Sequence, residues 1–308
     1  MVGEETLGDS MNIIVKYAKL ALSDINSAEI LYANKLYPQS IYFTHQCLEK
    51  IWKAQLLRHR IITPKQLKKV GHNLQLGLAQ YWKWDKLLWE EHKKIRSNPK
   101  FQHIFNGETD ESLKDNDPFQ KIDVDKIIRT RETQIKELET KKDWKPQAPE
   151  DTVKRMDDAY VEFCKSYENN KKNHEKLMTM YKEKLATAPM EEAEKERKHA
   201  EMTNNFEQYI IGGILDTYTH DVIREVVFVL PNQDELRYPE SNPLETYIET
   251  HPLVMNLGEI QTHLKRATEF MLRLDFSRWK ENDPLLQETW GGINFLEEKI
   301  TREKDSVK

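Results

Sequence analysis

Glycine is scarce in this chain, with 10 in 308 residues, and proline contributes only 12. A β-rich sandwich needs many tight turns. So few glycines, beside abundant Lys, Glu, Leu and Ala, favour helices instead. Cysteine is nearly absent. Cys47 and Cys164 stand far apart and belong to no CxxC or Cys/His cluster. That argues against a disulfide framework or a zinc site and fits a reducing cytosol. Long apolar runs are missing as well. No stretch approaches 18 apolar residues, and the start MVGEETLGDSMNIIVKYAKL is polar and acidic, unlike a signal peptide. A cytoplasmic, soluble protein with no membrane partner is the expectation. Seven Trp argue against plain disorder, because disordered chains are poor in aromatics.

Several chemistries lack their signatures. There is no GxSxG elbow, no Walker loop, no GxGxxG and no HExxH. No carboxylate pair is distinguished by its spacing. No cofactor and no metal is expected.

What is present is an uneven charge. The net value is −5, yet Met11 to Ile95 holds fourteen Lys and Arg against six Asp and Glu. Arg96 to Gln208 holds twenty-two against twenty-five, and Tyr209 to the end eleven against eighteen. A basic first third points to an anionic partner, or to docking on an acidic part of the same chain or of another.

Helical periodicity runs through most of the chain. Ile14, Ala18, Ala21, Ile25, Ala28 and Tyr32 mark one face of a first helix, with Asp9 or Ser10 as cap. Pro38 suits the first turn of a second helix, whose stripe is Ile41, His45, Leu48, Trp52 and Leu56. Glu49 and Lys53 have the spacing and order of a helix-surface pair. His45 has three readings: a core histidine, a contact across an oligomer seam, or a ligand. Asn73 to about Ile95, rich in Trp, forms a third helix, and Ser97 to Asp117 a loop. A charged helix covers Asp123 to about Lys142. A long one covers Thr152 to Leu185, with Val153, Met156, Tyr160, Phe163, Tyr167, Leu177 and Tyr181 at steps close to a heptad. Further helices are expected from Pro189 to Phe206, Tyr209 to Leu230 and Met255 to Leu274. IREVVFVL is read as buried helix rather than strand. The long charged excursion is either a helical hairpin packed on the core or an arm for oligomerisation or protein docking.

The clearest chemical signal is KAQLLRHRIITPKQLKKVGHNL, Lys53 to Leu74. Its cations, Lys53, Arg58, Arg60, Lys65, Lys68 and Lys69, with His72, are suited to neutralising phosphates of a nucleotide or RNA. The plainer alternative is that cations at a helix C-terminus offset its dipole, each worth about 0.3–1 kcal/mol.

The same region carries a family pattern. YPQSIYFTHQCLEKIWKAQL followed by GHNLQLGL resembles the HEPN family (higher-eukaryote and prokaryote nucleotide-binding domain). The matching residues are Gln46, Glu49, Lys50, Lys53 and Ala54, then His72, Leu74 and Leu78. Arg237-Tyr238-Pro239 before a final amphipathic helix is also similar to the family. The resemblance implies an all-α fold, an antiparallel helical bundle that dimerises, here with a long helical or coiled-coil insertion. The parts would be 11–95 and 209–275 for the bundle, 96–208 for the insertion and 276–308 for an extension. It implies one of two activities. One is non-catalytic nucleotide or RNA binding, with Lys53, Arg58, Arg60, Lys69, His72 and Arg237 as anion contacts and a nucleotidyltransferase of a toxin–antitoxin or defence system as partner. The other is metal-independent RNA cleavage by an Arg and a His four to six residues apart. Arg96 and His103 have that spacing, although Ser97 stands where the family usually has Asn, Asp or His. A third reading is a structural adaptor.

Overall fold

The computed structural model describes residues 7–67, 74–97, 123–140, 147–206, 212–231, 236 and 242–273. Among them are helices and turns and no strand. In chain order the helices are α1 (Leu7–Ala33), α2 (Tyr37–Arg58), α3 (Leu74–Ser97), α4 (Val124–Thr140), α5 (Pro149–Thr187), α6 (Glu192–Phe206), α7 (Gly212–Val227), α8 (Pro243–Thr246) and α9 (Pro252–Arg273). The all-α expectation holds. The chain divides into two compact units, one drawn from 1–74 and 145–278, the other from 75–144 and 279–308.

The first unit is built around α2. Pro38 opens this helix, where its missing N–H costs nothing. From Cys47 to Leu57 every residue except Lys50 is buried. A helix covered on nearly all sides belongs in the middle of a bundle, and α1, α7 and α9 all pack against it. The expected stripe of α1 faces inward: Ala18, Ala21, Ile25 and Ala28 are wholly buried. Its three alanines let α1 and α2 approach closely. The start of α1 differs from expectation. The helix begins at Leu7, so Asp9 and Ser10 lie within its first turn rather than capping it. Lys35, at φ 60°, ends the helix in the left-handed region, and Leu36 N–H returns to the Leu31 carbonyl at 2.9 Å.

A polar knot fixes α9 against α2. Gln261 Nε2 donates to Ser40 Oγ at 2.8 Å and to Thr44 Oγ1 at 2.9 Å, and Ser40 donates to the Ala28 carbonyl at 2.8 Å. All three side chains are buried, and with Thr44 Oγ1 donating to the Ser40 carbonyl at 2.8 Å each finds a hydrogen-bond acceptor. IREVVFVL is helical as far as Val227, with Phe228 to Leu230 following as buried turn residues.

The long helix α5 has 39 residues, about 58 Å at the standard rise. Its first half lies on α7 and α9. Met156 is wholly buried, the Phe163 ring packs at a tilt with its centroid 4.9 Å from that of Phe270, and Arg155 Nε meets the buried Glu225 at 2.5 Å. Its second half folds back on α6 as a hairpin. Thr203 Oγ1 is 3.4 Å from Met178 Sδ, and Lys195 Nζ reaches the Ala186 carbonyl at 3.2 Å. The heptad-like seam is used most fully in its first half. The hairpin buries Leu185, four residues past Tyr181 on the expected face, and Met178, one position round from it, and leaves Leu177 44% exposed.

The second unit contributes α3 and α4. Arg131 meets Asp85 at 2.6 Å, Lys86 meets Glu132 at 2.8 Å and Lys93 meets Asp125 at 2.5 Å. Asp85 and Lys86 meet the later part of α4, and Lys93, further along α3, meets its start, so the pair is antiparallel. Tyr81, Trp82 and Trp84 are buried.

Candidate functional site

The C-terminal end of α2 is organised around one carboxylate of α7. Asp216 Oδ1 accepts from Gln55 Nε2 at 2.6 Å and from an Arg58 guanidinium nitrogen at 2.5 Å, and its Oδ2 lies 3.0 Å from His59 Nε2. Burial by itself would push this carboxyl upward, but His59 and Arg58 beside it hold it well below the usual carboxylate range. The cluster ties α2 to α7 and fixes two basic side chains at the helix end. His59 N–H returns to the Gln55 carbonyl at 3.0 Å and Arg60 N–H to Leu57 at 3.0 Å. Arg60 itself adopts φ 53°, the left-handed turn that closes the helix and starts the connector.

One turn earlier, Lys53 and Glu49 form an ion pair at 2.6 Å. The i, i+4 spacing was expected on a helix surface. Instead both residues are buried, at 9% and 5% exposure, because α2 is central and has no surface there. Inside the bundle the pair must answer its own charges, which Glu49 does for Lys53. His45 is also buried, at 5%, so its core reading is the one the fold realises.

Of the six expected anion contacts, the structure describes Lys53, Arg58 and Arg60, and places all three on the last turns of α2 or the residue pair after it. Lys69, His72 and Arg237 lie outside the described residues. Arg96 falls in the last turn of α3, and His103 lies outside the described residues. Among the described residues no group of three His, Cys, Asp or Glu stands together to hold a metal ion, and no helix is long and apolar enough to cross a membrane.

Gln55 and Asp216 escape a reading of the sequence, although the Arg58-His59-Arg60 end they meet stands out in it. Gln55 has no periodic mark, and Asp216 is 161 residues away from it. The available hint was a lone carboxylate in GGILDTYTH, an otherwise apolar helix, which needs a partner when buried.

The family model of the HEPN domain matches residues 15–79. No curated protein and no solved structure matches the chain. The matched segment covers α1 from residue 15 onward, the whole of α2 with its Asp216-bound end, and the start of α3. A HEPN match carries a nucleotide- or RNA-related function in general terms. Residues 15–79 are thus similar to the HEPN domain, and this segment supplies the two helices, α1 and α2, on which the first unit is built.

Proposed function

We propose that this protein binds nucleotides or RNA, without catalysing a reaction, through the cations at and beyond the end of α2. One observation carries the reading: Arg58 and His59 are held at Asp216, so the basic run begins from a fixed point. From Arg58 to His72 the chain has five Lys and Arg and no acidic residue. Such a run of positive charge without acidic residues suits phosphate oxygens. Lys53, paired with Glu49, and Arg58, held at Asp216, shape the field from inside, and Arg60, Lys69, His72 and Arg237 are assigned the phosphate contacts in this reading. A homodimer and a nucleotidyltransferase partner are proposed on the family resemblance alone.

The test is fluorescence anisotropy of a labelled single-stranded RNA and of a labelled nucleotide, across a potassium chloride series. Arg60→Gln with Lys69→Gln spares the Asp216 cluster. The pair should weaken binding and flatten the salt dependence by roughly 0.7 in log–log slope per lost contact. An unchanged slope overturns the assignment. Metal-independent cleavage of the RNA that Arg96→Ala or His103→Ala abolishes would replace binding by catalysis.

A further inference from the structure

Away from the α2 end, one imidazole joins three helices. His263 of α9 is 2% exposed. Its Nε2 lies 3.0 Å from Asp157 Oδ1 of α5, and its Nδ1 lies 2.9 Å from the Tyr218 hydroxyl of α7. A carboxylate only accepts, so Nε2 carries the hydrogen, and Nδ1 is left to accept from the Tyr218 O–H. The neutral tautomer therefore satisfies both nitrogens at once. Arg266, one turn along α9, stands 4.2 Å over the Tyr160 ring of α5 and beside the Tyr218 phenol.

We propose that His263 is a proton-operated latch, which in its neutral form holds the first half of α5 on α7 and α9 and on protonation releases that hold. Protonation places a second hydrogen on Nδ1, so the Tyr218 hydroxyl must turn round and accept instead of donating, and its own hydrogen gives up the acceptor that the neutral imidazole supplied. The imidazolium would also sit beside the Arg266 guanidinium, in a site almost closed to water. Against this, Asp157 attracts the charge. That carboxylate is 65% exposed, however, so water screens it, while the imidazole has no such shelter.

The balance is visible in the histidine itself. Burial holds its titration below the ordinary histidine value, Asp157 and Glu259 oppose that, and Arg266 adds to it. The groups that face it are Asp157 and Tyr160 from α5, Tyr218 from α7, and Glu259 and Arg266 from α9. A histidine titrating low when folded stabilises the fold above its unfolded value near 6.5, and that contribution is lost as pH falls. Release thus comes on acidification.

The full-length protein is followed by histidine-detected NMR and by amide hydrogen exchange between about pH 5 and 8, the range in which histidine titrates. Protection of amides 153–163 should fall roughly tenfold across the His263 titration, while α1 and α2 keep theirs. Arg266→Gln should move both midpoints upward by roughly half a pH unit, and Asp157→Asn should move both downward. These two substitutions lie at the open rim, so they keep the test valid if His263→Gln does not fold. Protection that stays flat while His263 titrates overturns the latch. So does a midpoint that Arg266→Gln leaves in place, since a merely structural contact would not track the guanidinium.

Discussion

Asp216 of α7 and Arg58 of α2 are 2.5 Å apart, with side chains only 17% and 11% exposed, and between them they fix the end of the helix from which the basic connector departs. Asp216→Ala removes the carboxylate and leaves Arg58 and His59 facing each other in a half-closed site. A loss of about 3–5 kcal/mol is expected, the usual result of stranding a buried charge. Urea unfolding followed by circular dichroism measures it.

The same carboxylate makes the protein acid-sensitive. Its folded value lies below the unfolded one, so its contribution is complete above about pH 4 and is lost as pH falls further. Asp216→Asn should be less stable than wild type at neutral pH and should lose less on going to about pH 2.5. Denaturation curves at four or five pH values test the sign. Parallel losses in the two proteins would show that other carboxylates govern the acid limb.

Glu49 and Lys53 predict a non-additive pair. Lys53→Met leaves the Glu49 carboxylate in the core and should cost about 3–5 kcal/mol. The double substitution Glu49→Leu with Lys53→Met should recover most of that, because apolar groups of similar size fit a buried site without desolvation. A double variant no more stable than Lys53→Met would mean that Glu49 has a second essential role. Were that role in the family's ligand site, RNA binding would fall in the double variant even as stability returned.

Lys35 holds a left-handed backbone at φ 60° without being glycine. Lys35→Gly removes a strain of roughly 1 kcal/mol and gives up one ion pair, to Glu249, that is exposed on both sides. A net gain of about 0.5–1 kcal/mol is expected in chemical denaturation. Lys35→Ala keeps the strain and loses the pair, so it should be no more stable than wild type.

The two thiols should differ in chemistry. Burial pushes the Cys47 thiol up to about 12, with Thr268 Oγ1 3.6 Å from its sulfur, and no part of Cys47 is exposed. It should stay unmodified by iodoacetamide in the folded protein and react only after unfolding. Cys164, half-buried on α5, should react in the native state. Peptide mapping by mass spectrometry separates the two.

The sequence by itself determined the elements and the resemblance to the HEPN domain over residues 15–79. Steps of three and four residues placed the helices to within a few positions, because one face of each must be apolar to be buried at all. Gln46, Glu49, Lys50, Lys53 and Ala54, with His72, carried the HEPN resemblance without any knowledge of their contacts. Only the tertiary structure decided what α2 is surrounded by. A pattern of i, i+4 charges looks the same on a surface and in a core, and the difference lies in α1, α7 and α9 closing round Glu49 and Lys53. The seam of α5 likewise reads as one continuous stripe, yet it is covered by α7 and α9 for half its length, and then the hairpin with α6 turns to the Met178 side. Asp216 at Arg58, and His263 between Asp157 and Tyr218, join residues more than a hundred positions apart or on helices that share no local pattern. Such contacts follow from where packed helices bring side chains in space, which periodicity along one helix does not encode.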